Sequence, residues 1–118
     1  GRAILEALSP LDVGQGCVVA SGLCLGVETL QGTDALLRFV GETPAALRGT
    51  RRGVLVKRPK AGQDLRVDMP AIGPDTIAEA AAAGLEGIAI AAQRTLLGDR
   101  EAILAACAET GLFLMAEP

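Results

Sequence analysis

GPDTIAEAAAAGLEGIAIAAQRTLLGDREAILAACAETGLFLM, residues 73–115, decides the fold class. Gly73-Pro74-Asp75 opens a helix, because proline suits a first helical position that needs no N–H partner. Good helix formers fill 77–83, and Gly84 ends the run. Gly87–Ala91 is apolar throughout, as expected for a strand covered on both faces. Asp99 is a capping residue for a second helix that reaches Thr110, with Gly111 behind it. Leu112–Met115 is expected as a final buried strand. Helix, strand, helix and strand at this spacing predict parallel pairing and an α/β fold.

Working back toward the N-terminus, Gly53–Lys57 (GVLVK) reads as another buried strand, followed by a loop over 58–63. Leu65 and Val67 alternate with Asp64, Arg66 and Asp68, so the charged residues share one face. Thr43-Pro44 starts a short helix, with Thr43 as cap, that Gly49 ends. Helix-period apolar residues Leu36, Leu37 and Val40 follow Gly32-Thr33-Asp34, where Thr33 or Asp34 is the expected N-cap. Gly16–Ala20 and Leu23–Glu28 flank Ser21-Gly22, which predicts a two-residue hairpin. In that register Ala20 faces Leu23, and Gln15 faces Glu28 at the open end. The expected architecture is a mixed sheet, built from this β-hairpin and buried, partly parallel strands, with helices packed on it. Residues 1–10 read as the end of a linker helix, and 11–118 as one α/β domain.

The chain has 118 residues, half of them apolar, with net charge −3. That length suits one domain with a sizeable core, and the composition excludes a disordered chain. There is no His, Tyr or Trp. Ser-His-Asp and Cys-His sites are therefore excluded within this chain, as are His metal ligands. Base-stacking nucleic-acid modules are not expected from an acidic chain without Tyr or Trp. Cys17, Cys24 and Cys107 are odd in number and lack a CxxC spacing, so reduced, buried thiols are expected rather than disulfides or a zinc ribbon. No stretch of about 18 uncharged apolar residues occurs, so no membrane span is expected. The chain opens on Gly1-Arg2 without Met, which leaves room for an N-terminal partner domain.

Charge is unevenly spread. Arg48, Arg51, Arg52, Lys57, Arg58, Lys60 and Arg66 share one short segment with a single acid, Asp64, giving net +6; the remainder is −9. Such a concentration points to an anion site. Two constellations could carry chemistry. Glu28 with Gly32-Thr33-Asp34 places a carboxylate beside a helix start, the combination that holds phosphate and Mg²⁺. Lys57, Lys60, Gln63, Asp64, Arg66 and Asp68 interleave cations and acids beyond the end of a buried strand, where α/β sheets bind ligands. Structural readings compete with both: an ordinary helix cap for the first, and a surface salt-bridge ladder for the second.

The blocks DVGQGCVVASGLCLGVETLQGTDALLR (12–38), GVLVKRPKAGQDLRVDMPAIGPDT (53–76) and AGLEGIAI (83–90) closely resemble the LpxI family. These are UDP-2,3-diacylglucosamine pyrophosphatases of lipid A biosynthesis in Gram-negative bacteria. The likeness runs over nearly the whole chain but matches only the C-terminal half of such enzymes. It implies Mg²⁺-dependent hydrolysis of UDP-2,3-diacylglucosamine to UMP and 2,3-diacylglucosamine 1-phosphate (lipid X). It also implies a cleft shared with a Rossmann-like N-terminal domain of the same protein. Carried over by motif, Asp68, Asp64 and Asp34 are the expected catalytic carboxylates, and Asp68, Asp64 and Glu28 the expected Mg²⁺ ligands. Gln15, Gly32, Thr33, Lys57, Lys60, Gln63 and Arg66 are the expected substrate contacts, and Asp12 completes the opening DxGQ pattern. The resemblance implies a cytoplasmic enzyme touching the cytoplasmic face of the inner membrane peripherally, with no nucleic-acid partner. The alternatives are a non-catalytic anion- or nucleotide-binding regulatory module, and a homo-oligomerisation domain whose apolar strands pair across a symmetric interface.

Overall fold

The computed structural model describes residues 1–11, 13–59, 71–92 and 95–117. Helix α1 (Arg2–Leu8) and a short 3₁₀ turn (Ser9–Leu11) lead into β1 (Gly16–Ala20) and β2 (Leu23–Val27). Next come α2 (Thr33–Gly41), α3 (Ala45–Arg48), β3 (Val54–Lys57), β4 (Ala71–Ile72) and α4 (Pro74–Ala82). The chain ends with β5 (Gly87–Ala91), β6 (Leu96–Leu97), α5 (Arg100–Thr110) and β7 (Phe113–Glu117). Among the described residues, five strands form one sheet in the order β2-β1-β3-β5-β7. β3, β5 and β7 pair in parallel, and β1 is antiparallel to both β2 and β3. This is the mixed α/β sheet expected from the sequence. The β4–β6 pair is a separate parallel ribbon that two-residue strands are too short to announce.

The two faces of the sheet are covered differently. On one, Val18, Leu55, Ile88 and Ile90 pack against Leu36, Leu37 and Val40 of α2, Ile77 and Ala80 of α4, and Ile103 of α5. On the other, Cys17, Val56 and Ala89 meet Leu5 and Ile4 of α1. The linker-like segment thus packs on the sheet. Asp99 caps α5 as expected, accepting from the Ala102 N–H at 3.1 Å.

Four local expectations are corrected. The last strand is β7, 113–117, and it is a partly exposed edge; Phe113 and Met115 are 41% and 45% accessible. Apolar composition alone does not distinguish an edge from a covered strand. Thr33 does not cap α2. Gly32 takes that place with φ +92, and the Thr33 hydroxyl is used elsewhere. The helix expected to begin at Pro44 begins at Ala45, with Pro44 rather than Thr43 at the cap, because the Thr43 hydroxyl donates to the Val40 carbonyl.

The hairpin register is the fourth. Ala20↔Leu23 and Val19↔Cys24 pair as expected, but the register then slips by one, giving Val18↔Gly26 and Cys17↔Val27. A β-bulge inserts one extra residue and moves everything beyond it to the other face. Gly16 accepts the Glu28 N–H at 2.8 Å, so Glu28 stands opposite Gly16 rather than Gln15.

Candidate functional site

Strand direction gathers the candidate residues. β2, β3, β5 and β7 all point the same way, so Glu28, Lys57 and Glu117 lie along one edge, with Gln15 entering β1 beside them. α2 and α4 start from this side. The carboxyl edge of parallel strands is where open α/β sheets bind ligands.

The bulge turns Glu28 toward the face covered by α2, and Lys57, paired with Gly16, projects to the same face. Lys57 Nζ donates to Glu28 Oε2 at 2.9 Å and to Thr33 Oγ1 at 2.8 Å. Thr33 Oγ1 in turn donates to the same Glu28 Oε2 at 2.6 Å. Lys57 is 4% accessible and Glu28 8%. Three residues from separate elements thus close a ring of charge-assisted hydrogen bonds beneath the surface.

Two glycines make room for this ring. A Cβ at Gly14 would lie 2.1 Å from the Glu28 carbonyl oxygen, and one at Gly16 would lie 2.9 Å from Glu28 Oε2. Hairpin and capping rules single out neither glycine. The alternate glycines of V-G-Q-G were the available signal, since glycine in or beside a strand often marks close approach of another backbone.

On the opposite face, the next residue finds its own partner. Arg58 Nη1 lies 3.7 Å from Glu117 Oε2, which also accepts from Arg2 Nη2 at 3.3 Å. The Arg58 N–H donates to the Gln15 carbonyl at 2.9 Å. Consecutive residues at the exit of β3 are therefore anchored on both sides of the sheet.

Asp34 is exposed in the first turn of α2 and lies against Glu79 of α4. A hydrogen bond shared with Asp34 raises the Glu79 carboxyl above its ordinary value; partial burial and the charges of Asp34 and Asp75 add to this, and Arg38 opposes it. Burial raises the Cys17 thiol to about 11. Cys17, Cys24 and Cys107 are free, but Cys24 is exposed rather than buried, because it faces outward from edge strand β2.

The structure thus joins Glu28, Thr33 and Lys57, with Gly32 and Gln15 beside them, and sets Asp34 toward α4. Asp12, Lys60, Gln63, Asp64, Arg66 and Asp68 lie outside the described residues. The basic segment is divided by β3. Arg48 donates to the carbonyls of Val40, Arg51, Arg52 and Ala83, at the end of the strand opposite Lys57. The expected single anion site therefore does not extend to Arg48, Arg51 and Arg52. Among the described residues, no three Asp, Glu or Cys side chains gather around a point able to hold one ion. Glu28, expected as a metal ligand, has Oε2 engaged by an ammonium and a hydroxyl. The described carboxylates alone do not fit a Mg²⁺ site. Among the described residues, no helix is long and apolar enough to cross a membrane.

Comparison with known proteins bears on what this edge serves. The chain is 50% identical over 115 residues to "UDP-2,3-diacylglucosamine pyrophosphatase LpxI" of Caulobacter vibrioides. The match takes in 95% of this chain and 41% of that relative, so the chain spans about two-fifths of its length. The family model for the LpxI C-terminal domain matches residues 1–115, and the chain therefore belongs to the LpxI C-terminal domain family.

Proposed function

We propose that this chain is the catalytic C-terminal part of an enzyme that hydrolyses the pyrophosphate bond of UDP-2,3-diacylglucosamine. The products are UMP and 2,3-diacylglucosamine 1-phosphate, intermediates and by-products of lipid A biosynthesis. The observation that carries the reading is 50% identity to a relative bearing that activity in its name. The charged carboxyl edge of the sheet supports it, because a pyrophosphate needs fixed cations and a carboxylate within reach.

In this reading water attacks the phosphorus on the sugar side. A new P–O bond forms, the bond to the bridging oxygen breaks, and UMP leaves with that oxygen. Asp68 is the first choice for the essential carboxylate, followed by Asp64 and Asp34, with one of them positioning the water and taking its proton. Lys60, Gln63 and Arg66 hold the diphosphate, with Gln15 and the Gly32 turn at the rim. Mg²⁺, held by Asp64 and Asp68 together with phosphate oxygens and water, would supply neutralising charge. An N-terminal domain of the same protein completes the cleft, and the enzyme works at the cytoplasmic face of the inner membrane without spanning it.

The test uses the full-length enzyme and UDP-2,3-diacylglucosamine in ¹⁸O-water. Label in lipid X and none in UMP, with release of UMP stopped by EDTA and by Asp68→Ala while the fold persists, is the expected result. Absence of UMP release, label in UMP, or an active Asp68→Ala enzyme overturns the reading.

A further inference from the structure

We propose that Glu28, Lys57 and Thr33 form a buried pin that positions the catalytic edge, and that neither Glu28 nor Lys57 touches metal or diphosphate. This rests on the hydrolase reading above and changes the parts played by two of its residues. Lys57 Nζ already donates to two acceptors, and Glu28 Oε2 already accepts from two donors. A metal ion at Glu28 would sit beside an ammonium 2.9 Å from the same oxygen. A phosphate reaching Lys57 would have to enter a space where the side chain is 5% accessible and already neutralised.

What the ring does is join three elements. Glu28 follows β2, Thr33 opens α2 and Lys57 ends β3. Beside it the Arg58 N–H donates to the Gln15 carbonyl at 2.9 Å, and on the other face Arg58 Nη1 faces Glu117 Oε2 at 3.7 Å without a hydrogen bond. Residues 57 and 58 are thus tied to their neighbours at the carboxyl end of β3, and the proposed catalytic residues follow them in sequence. Removing one partner of a buried ion pair leaves an uncompensated charge, whereas removing both charges restores balance. A positioning pair and a pair of ligands therefore behave differently.

The full-length enzyme is assayed for kcat, KM and the Mg²⁺ concentration at half-maximal rate. Lys57→Met and Glu28→Gln are each expected to lower kcat at least tenfold, with KM and the Mg²⁺ midpoint within about threefold of wild type. The Glu28→Gln/Lys57→Met double variant is expected to recover at least fivefold over Lys57→Met. Thr33→Val should lower kcat and Thr33→Ser restore it, and this pair carries the test where the charge variants do not fold. A tenfold rise in the Mg²⁺ midpoint of Glu28→Gln, or in KM of Lys57→Met, overturns the proposal. So does a double variant as poor as the product of the singles, or a Thr33→Val enzyme with wild-type kcat. A wild-type enzyme that releases no UMP refutes the hydrolase reading instead. The pin is then read from melting temperature, where additive losses in the two single variants and the double variant overturn it.

Discussion

Replacing Gly16 with alanine presses a methyl group against the buried pair without removing either charge. The new Cβ would lie 2.9 Å from Glu28 Oε2, 3.2 Å from Lys57 Cδ and 3.5 Å from the Val56 carbonyl oxygen. The last is an ordinary contact, but the first needs relief of roughly half an ångström. Glu28 Oε2 cannot move that far and keep bonds of 2.9 and 2.6 Å to Lys57 and Thr33. Losing much of one charge-assisted hydrogen bond costs about 1.5–3 kcal/mol. Alanine recovers about 0.5–1 kcal/mol because glycine loses more chain entropy on folding. The net cost is about 1–2 kcal/mol, which for a domain of this size lowers the melting temperature by roughly 4–10 °C.

Thermal unfolding followed by circular dichroism measures this, in the wild type and in a Glu28→Ala/Lys57→Ala background. With both side chains cut back, the Val56 carbonyl oxygen at 3.5 Å still makes only ordinary contact with the methyl, and the penalty should vanish or reverse. An equal loss in both backgrounds would refute the reasoning, since the clash would then lie outside the ion pair.

Glu79→Gln should raise the melting temperature at pH 7. The folded-state pKa of Glu79 lies above its unfolded value, so its favourable contribution is complete below the unfolded value and is lost as pH rises through the folded one. The gain from Glu79→Gln should therefore shrink toward zero below about pH 4, and a gain independent of pH would contradict the Asp34 contact. Thiol labelling of the native chain at pH 7 should modify Cys24 first and spare Cys17, which is buried with its thiol raised to about 11; mass spectrometry of the labelled protein distinguishes them. Arg48→Lys should destabilise by about 2–3 kcal/mol in urea unfolding. One ammonium cannot reach the carbonyls of Val40, Arg51, Arg52 and Ala83 that the guanidinium serves together.

The sheet strands and the helices 74–82 and 100–110 were legible because each rule involved is local. Proline or aspartate opens the helix, glycine closes it, and a short apolar run such as Gly87–Ala91 marks a strand, although the exposed β7 shows that composition does not say which run is covered on both sides. Pairing details were not legible in the same way. Whether Leu25 is a bulge depends on Gly26 lying under Leu36, where a Cβ would meet the Leu36 Cδ1 at 2.7 Å. That is a contact between β2 and α2, and hairpin rules, which see only the turn, do not contain it. The same blindness made Thr33 look like a cap. A threonine hydroxyl at a helix start usually serves the helix's own amides, and here a buried ammonium and carboxylate compete successfully for it. The basic segment failed as a unit for a simpler reason: four residues of strand lie between Arg52 and Arg58, and they carry the two ends to opposite edges of the sheet.

The bulge and the two glycines give the Glu28–Lys57 pair a physical origin. Without the slip between Val18 and Val19, Glu28 would fall on the face covered by α1, on the side of Cys17, and Lys57 would be left buried without a counter-ion. A side chain at position 14 would strike the Glu28 carbonyl, and one at 16 its carboxylate. Register, bulge and glycine spacing therefore act as one device, and the pair follows from it. A buried ion pair adds little stability over well-packed apolar residues, because desolvation offsets the attraction. Its contribution here is geometric. It joins the ends of β2 and β3 to the start of α2 with directional bonds, which apolar packing alone would not orient. In the proposed hydrolase, an edge that holds a charged substrate against several side chains has use for that directionality, and the core beneath it does not.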